Sequence, residues 1–189
     1  MGDRQHVRPS KTGLPIDARG IVGNMKTTAL ISIEGVVDFM CFPRIDSPTI
    51  FAGLLDAEHG GAFGIRPMCD EFNVKQMYIP ETNILLTRFM TPEGVCELLD
   101  LMPVQGDTGG EASGDVAEDH ESLPNCLVRL VRMAHGTMSL RMHCAPRFDY
   151  ARASHTARAE GPTLVFEGAD GTALRLRSTV PMRIEEGDG

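Results

Sequence analysis

The sequence predicts an all-β fold, a large antiparallel β-sandwich that carries one short helix. Several segments alternate apolar and polar residues; Met138, Leu140 and Met142, for example, are separated by Ser139 and Arg141. Such alternation is typical of strands with one face buried and the other in water. Turn-forming residues recur between these segments, and 42% of the 189 residues are apolar, enough for a sizeable core. Many short strands separated by turn signals are typical of a sandwich.

The predicted sandwich domain spans residues 20–184. Residues 1–19 are polar and interrupted by prolines, so we expect a flexible N-terminal arm, and we expect residues 185–189 to be a disordered tail. Within the domain, residues 105–122 carry six acidic side chains and no Lys or Arg. Self-repulsion and the lack of large apolar side chains predict a mobile loop there. An acidic docking motif is the alternative interpretation of this loop.

The first predicted hairpin opens the domain. Its two strands, 28–33 and 36–42, are rich in β-branched and apolar residues, and Glu34-Gly35 forms the turn between them. Pro43 ends the second strand, because proline cannot donate a hydrogen bond to a central ladder.

The one short helix is predicted to follow this hairpin. Ser47 suits the N-cap position, and Pro48 suits the first helical position, where its missing N–H costs nothing. Gly60 and Gly61 can adopt left-handed conformations and end the helix. The apolar residues that repeat at helical spacing, and would form its buried face, are Ile50, Phe51, Leu54 and Leu55.

Eight further strands are predicted from the same kinds of pattern. They are 62–66, 72–79, 84–90, 95–102, 126–133, 138–144, 163–167 and 172–178. The last four form two predicted hairpins, closed by turns at 134–137 and 168–171.

The charge of the chain argues against two classes of partner. The net charge is −8 and the isoelectric point is about 5.2, so nucleic acid and anionic membrane surfaces would repel the chain. No apolar run is long enough to span a bilayer. The first thirteen residues lack the hydrophobic region of a secretory signal, and we therefore expect a cytoplasmic protein.

The cysteine pattern argues against a metal site. The five cysteines are widely spaced and include no C-x-x-C pair, whereas zinc sites usually draw on ligands close in sequence. We expect reduced thiols in a cytosolic core. The glycine-rich nucleotide motifs are absent as well, so the sequence predicts no cofactor.

Two Pro-Arg-x-Asp motifs supply the candidate site residues. Arginine can hold a carboxylate or backbone carbonyls through a planar fork of donors, and aspartate can cap neighbouring N–H groups. Each motif could therefore pin its own loop. Alternatively, the first loop could help shape a sugar pocket, since binding residues favour loops on rigid scaffolds. The residues of this candidate rim or interface are Arg44, Asp46, Ser47, Arg147 and Asp149.

Four stretches in order carry a family resemblance. They are GVVDFMCFPRIDSPTIFAGLLDAEHGGAFGI (35–65), YIPETNILLTRF (78–89), LLDLMPV (98–104) and APRFDYARA (145–153). Together they resemble the N-terminal domain of glycoside hydrolase family fifteen, the bacterial glucoamylases and trehalase-like enzymes. The resemblance covers about residues 21–183. Phe39 departs from it, because the family usually has Trp at that position.

The resemblance implies a β-sandwich and a role in α-glucoside hydrolysis with inversion. Inverting hydrolysis needs two carboxylates about 6.5–9.5 Å apart, as general acid and general base. In the family both are glutamates of a helical barrel that follows the sandwich, and no segment of this chain resembles that barrel. We therefore expect no catalytic residue here and no activity in isolation. The implied role is to pack on the helical catalytic domain of the same polypeptide and support its active-site rim.

Other functional classes stay open at this point. A stand-alone carbohydrate-binding module would need exposed aromatic residues, yet the chain has no Trp and only two Tyr, and most of its eight Phe lie in apolar patterns. A protein-interaction module is a further alternative. His135, His143 and His155 would suit epimerase chemistry only with a well-placed carboxylate. Asp38 and Asp46 form a weak candidate pair of carboxylates.

We also expect weak self-association. Incomplete sheets expose unpaired N–H and C=O groups at their edges, and the surface that would meet the barrel would be uncovered. A homodimer through either surface is therefore expected. The alternative is a monomer kept apart by the net charge of −8.

Overall fold

The computed structural model of the chain describes residues 5–7, 14–104 and 125–185. It confirms the all-β fold with one short helix. The strands are β1 (Gln5–Val7), β2 (Arg19–Gly23), β3 (Thr28–Ser32), β4 (Val36–Cys41), β5 (Thr49–Phe51), β6 (Ala62–Pro67), β7 (Phe72–Tyr78), β8 (Leu85–Met90), β9 (Gly94–Leu101), β10 (Val128–Gly136), β11 (Leu140–Ala145), β12 (His155–Glu160), β13 (Thr163–Gly168) and β14 (Ala173–Arg177). A 3-10 turn covers Ile16–Ala18, and the short helix α1 covers Phe148–Ala151.

The strands form three antiparallel sheets. Sheet I has the order β1-β7-β8-β9-β10, and sheet II has the order β11-β6-β4-β3-β2, with β5 paired to β4. Sheet III is β12-β13-β14. Sheets I and II face each other: Gly20 of sheet II lies against Leu85 of sheet I, so that a Cβ there would come within 2.6 Å of the leucine side chain. The core between them includes Val22, Ile31, Val37, Phe63, Phe89 and Leu98.

Most of the predicted strands are present, and two of the predicted hairpins form. β3 pairs with β4, and β13 pairs with β14, both antiparallel. In β14 the side chains of Leu174 and Leu176 are partly buried and those of Arg175 and Arg177 are exposed, as the alternation predicts. Short-range pairing of alternating segments was therefore readable from the sequence.

The helix predicted at residues 48–59 is wrong. Residues Thr49–Phe51 instead form β5, whose three residues are all buried, and turns follow it. Phe51 is paired with Met40 and Thr49 with Cys41, across a bulge in β4. Burial of three consecutive residues suits a strand covered on both faces, and the apolar spacing cannot distinguish that case from a helix.

The hairpin predicted from 126–133 and 138–144 is also wrong. Both strands exist, but β10 pairs with β9 in sheet I, whereas β11 pairs with β6 in sheet II. Gly136 has a φ of 61°, and the next amide, of Thr137, donates to the carbonyl of Glu93 at 3.2 Å. The backbone therefore turns away from β10 and crosses to the other sheet. His135, predicted in the turn, lies inside β10.

Several predicted segments fall outside the described residues. The predicted mobile loop 105–122 lies there, as do residues 186–189 of the predicted tail and most of the first thirteen residues. Within the segment predicted as an arm, Gln5–Val7 pair with β7. No helix in the described ranges is long and apolar enough to cross a membrane.

A buried arginine links the two large sheets. Arg129 of β10 donates to both carboxylate oxygens of Asp100 at 2.7 and 3.3 Å, and both side chains are almost fully buried. It also donates to the carbonyls of Phe63 and Gly35 in and beside sheet II, at 2.7 and 2.8 Å, and lies over the Phe63 ring. Burial raises the pKa of Asp100, and Arg129 opposes that rise. A buried charge paired in this way is costly to leave alone.

Candidate functional site

The first Pro-Arg-x-Asp loop follows the buried strand β4 and lies at the surface. Arg44 Nε donates to Asp46 Oδ1 at 2.9 Å and Nη2 donates to Oδ2 at 3.3 Å, so the two side chains form a forked ion pair. The amide of Arg44 donates to Ser47 Oγ at 3.2 Å. The side chains of Arg44 and Asp46 remain 71% and 66% exposed. The loop therefore presents both charges to solvent.

Asparagines hold this loop to the rest of the sandwich. Asn125 Nδ2 donates to the carbonyl of Pro43, and Asn125 Oδ1 accepts from Asn24 Nδ2 at 2.7 Å. The amide of Ile45 donates to the carbonyl of Lys26 at 2.8 Å. The sequence gives no signal for these contacts, because Asn24 and Asn125 are 101 residues apart.

The second Pro-Arg-x-Asp loop follows β11 and has a different pairing. The guanidinium of Arg147 donates to the carbonyl of Pro146 at 3.4 Å, and Asp149 pairs with Arg152 at 2.8 Å. Both motifs therefore bond within their own loops, but Arg pairs with Asp only in the first, whereas in the second Arg147 bonds a backbone carbonyl and Asp149 pairs with Arg152. Arg152 also lies over the ring of Tyr150, 5.6 Å from its centroid.

The backbone of this second loop is left-handed. Asp149, Tyr150 and Ala151 have φ values of 51°, 56° and 62°. Left-handed residues other than glycine cost roughly 1–2 kcal/mol each, because Cβ approaches the following carbonyl. Phe148 compensates, since it is 4% exposed and packs against His155, with ring centroids 5.5 Å apart. Strain of this kind concentrates at functional sites.

Strand β5 brings the two loops into one region. It begins two residues after Ser47, and the carbonyl of its Ile50 accepts from the amide of Arg147 at 2.9 Å. The candidate residues of the first motif are therefore close in sequence to Ile50, whose carbonyl holds the second motif. We call this region, residues 44–51 and 146–152, the paired-loop region.

The carboxylates considered as an acid–base pair do not serve that purpose. Asp38 is held by Arg19 through contacts of 2.7–3.1 Å and is mostly buried. Arg44 lowers the pKa of Asp46 by hydrogen bonding and by its charge. A general acid needs a raised pKa. Asp38 is therefore occupied by its ion pair with Arg19, and Asp46 lacks the raised pKa of a general acid.

The three histidines are spread over three sheets. His135 lies in β10, His143 in β11 and His155 in β12. Burial lowers the pKa of His155, and the charge of Arg147 lowers it further. The epimerase interpretation required a histidine with a placed carboxylate, and the fold does not gather these histidines into one site.

The cysteines do not form a metal site in the described part of the chain. All five are free thiols, and no group of three His, Cys, Asp or Glu side chains there could hold an ion. Burial raises the pKa of Cys144 to about 12, and also raises the pKa of Cys41 and of Cys96. Such thiols stay protonated, and protonated thiols are poor metal ligands.

The chain matches a known family over more than half of its length. The model of the trehalase-like N-terminal domain matches residues 3–109. This chain belongs to the trehalase-like N-terminal family. The match covers the first Pro-Arg-x-Asp loop and the strands β1 to β9.

Relatives match the chain over a larger share of its length. The trehalase of Mycolicibacterium smegmatis is 35% identical over 153 residues, which are 78% of this chain and 22% of that protein. The trehalase of Mycobacterium tuberculosis is 30% identical over 183 residues, 90% of this chain and 26% of that protein. Trehalase 1 of Sulfolobus acidocaldarius is 44% identical over 85 residues, 45% of this chain and 15% of that protein. The chain thus spans about a quarter or less of each relative. No solved structure matches it.

Proposed function

We propose that the chain is the non-catalytic N-terminal domain of an inverting α-glucoside hydrolase of glycoside hydrolase family fifteen, acting on trehalose or a glucan. The observation that carries the proposal is the match to trehalases over 78–90% of this chain but only 22–26% of their length. A domain of that share is too small to be the whole enzyme. The proposed partner is a helical catalytic domain of the same polypeptide.

We propose that the paired-loop region forms part of the surface that meets the catalytic domain or its substrate. Two features support this. Arg44 and Asp46 are exposed although a rigid strand, β4, positions them. Three left-handed residues hold Tyr150 and Arg152 at the surface, where a ring and a guanidinium can bind a sugar or a carboxylate. Ser47, Arg147 and Asp149 complete the proposed rim.

The cysteines support a cytoplasmic location for this enzyme. Five reduced thiols, of which Cys69 is exposed, fit a reducing compartment better than an oxidising one.

An activity assay tests the proposed function. The isolated chain should release no glucose from trehalose, maltose or starch, whereas the complete gene product should hydrolyse trehalose or a glucan with inversion, followed by NMR of the released anomer. Deleting residues 1–189 from the gene product should abolish or strongly reduce its turnover. Hydrolysis by the isolated chain, lost on a substitution within it, would overturn the non-catalytic assignment. Retention of the isolated chain on immobilised glucan would favour a carbohydrate-binding module instead.

The rim assignment needs a separate comparison within the active gene product. Arg44→Ala and Tyr150→Ala should each lower kcat/KM by about tenfold or more, as expected for the loss of a positioning contact. Arg158→Ala is the matched control, because Arg158 is also an exposed, ion-paired arginine but lies in β12 of sheet III. Equal effects of all three substitutions would contradict a specific role for the paired-loop region.

A further inference from the structure

The last strand of sheet I is exposed along nearly its whole length. β10 runs for nine residues at the edge of the sheet, and among them only Arg129 is not exposed. Its apolar side chains are open to solvent: Leu130 is 55% exposed, and Val128, Val131 and Met133 are 39–40% exposed. A long apolar edge strand is the arrangement that soluble proteins usually avoid.

The exposed side chains lie on both faces of the sheet. Leu130 lies opposite Leu99, which lies opposite Leu86 in turn, on the outer face. Val131 lies opposite the fully buried Leu98, on the face toward the core. Because a strand alternates its side chains, a single covering layer on one face would leave the other apolar residues exposed. Another strand beside β10 would extend both faces at once.

β2, one of the two edge strands of sheet II, has part of its free edge occupied. The hydroxyl of Tyr78 accepts from the amide of Ile21 in β2 at 2.8 Å and donates to the carbonyl of the same residue at 2.9 Å. These contacts occupy the backbone of β2 with a side chain, and they block strand addition at that point. Within the described ranges, β9 is the strand that pairs with β10.

The charges beside the open edge indicate the chemistry of its partner. Lys75, Arg88, Glu97 and Arg132 face one another in register across four strands of sheet I. Glu97 accepts from Arg88 at 2.6 Å and from Arg132, and these arginines lower its pKa. Two arginines therefore share one carboxylate, Lys75 is the next residue in the row, and Arg132 at the edge is 65% exposed. A carboxylate on a neighbouring strand would balance this row.

We propose that β10 accepts a further strand from the polypeptide that follows this domain in the complete enzyme. That strand carries apolar residues on both faces and an acidic residue beside Arg132. The inference rests on the proposed function, since the trehalase relatives have 74–78% of their length outside the matched region, being matched over 26% and 22%. Main-chain pairing would supply affinity, and the apolar side chains and Arg132 would fix the register.

Hydrogen exchange on unmodified protein tests the inference. The amides of residues 128–136 should exchange at least about tenfold more slowly in the complete gene product than in the isolated chain, because strand addition protects the free edge. The amides of β2 should show no such difference. Equal exchange of β10 in the two proteins would overturn the proposal.

A substitution series gives a second measurement. Leu130→Lys should leave the Tm of the isolated chain within about 2 °C of the parent, since exposed sites tolerate polar residues. In the complete gene product it should lower Tm by several degrees more. Ile21→Lys is the matched control, because Ile21 is 53% exposed on the blocked strand β2. Equal shifts for the two variants in the gene product would contradict the proposal.

The remaining outcomes distinguish a failure of this inference from a failure of the proposed function. A gene product that hydrolyses trehalose but leaves β10 unprotected overturns this inference alone. A gene product that protects β10 but hydrolyses no glucoside overturns the proposed function and leaves the strand addition standing. If light scattering finds a dimer of the isolated chain, and dimerisation protects β10, the occupant is a second copy and the proposal is wrong.

Discussion

The loop after β4 and the turn after β11 share the sequence Pro-Arg-x-Asp but differ in every contact that the motif makes. In the first, the variable residue Ile45 is 58% exposed and Arg44 pairs with Asp46. In the second, the variable residue Phe148 is 4% exposed and Asp149 pairs with Arg152. The first loop keeps all its backbone φ values negative, whereas the second has three left-handed residues in succession.

The two loops differ because only one of them offers a buried site to the variable residue of the motif. Phe148 packs against His155, which in turn lies 6.1 Å from the ring of Phe166 in sheet III. Burying an aromatic ring is worth about 1.5–3 kcal/mol, which offsets part of the cost of the left-handed backbone. Ile45 has no such site. A shared motif therefore fixes neither backbone nor pairing, and its neighbours in space decide both.

The largest expected effect concerns the two variable residues. Phe148→Ala should lower the free energy of unfolding by about 3–5 kcal/mol, through lost burial and a cavity between sheets. Ile45→Ala, the equivalent change in the first loop, should cost less than about 0.5 kcal/mol because the side chain is exposed. Chemical denaturation of both variants measures the difference. Similar losses would show that the first loop is also anchored by its variable residue.

A glycine substitution tests the left-handed backbone. Ala151→Gly should stabilise the protein by about 0.5–1 kcal/mol, because glycine removes the Cβ clash at positive φ but adds unfolded-state entropy. Ala153→Gly is the control two residues later, where φ is not positive and the side chain packs on the core. That variant should lose stability. A loss in both would mean that the turn carries no strain.

The pH dependence of stability should differ between the loops through His155. Burial lowers the pKa of this histidine, so the unfolded chain binds the proton more tightly than the folded chain. Its contribution is present above about pH 6.5 and is lost as the pH falls through the folded pKa. His155→Phe keeps a ring against Phe148 and should flatten that part of the profile. Denaturation midpoints at a series of pH values check this, and an unchanged slope would refute it.

The smallest expected effect is at the first loop's ion pair. Asp46→Asn should leave Tm unchanged within about 1 °C, because exposed ion pairs contribute little. A carboxyl NMR titration still distinguishes the pair, since Arg44 lowers the pKa of Asp46. Arg44→Gln should raise that pKa toward its ordinary value. A pKa that does not respond would show that the pair does not form in solution.

Local pattern predicted much of this fold. The alternation of Leu174 and Leu176 with arginines placed β14 correctly, and the neighbouring turn fixed its hairpin. The same approach failed for β5, where continuous burial looks like a helix, and for β10 and β11, which belong to different sheets. Tertiary contacts decide which sheet a strand joins and therefore which strand it pairs with. The periodicity of a segment does not report those contacts.

The same distinction between local pattern and tertiary contacts applies to the candidate site. Arg44 and Asp46 are two residues apart in the sequence, so their pairing could be predicted from the motif. The pairing of Asp149 with Arg152 depends on a left-handed turn that needs Phe148 in its pocket, and no local rule predicts that. The contact of Tyr78 with Ile21, 57 residues apart, and that of Arg129 with Asp100 were likewise beyond the reach of sequence.

The bond between Arg129 and Asp100 has a consequence for synthesis. Asp100 leaves the ribosome 29 residues before Arg129. At about 5–20 residues per second, the carboxylate waits for its partner for roughly 1–6 seconds. Until then its burial is costly, because the carboxyl group must either keep an uncompensated charge or bind a proton, and sealing β9 under sheet II is therefore disfavoured. We therefore expect the emerging chain to close its sandwich only after the last strand of sheet I has arrived.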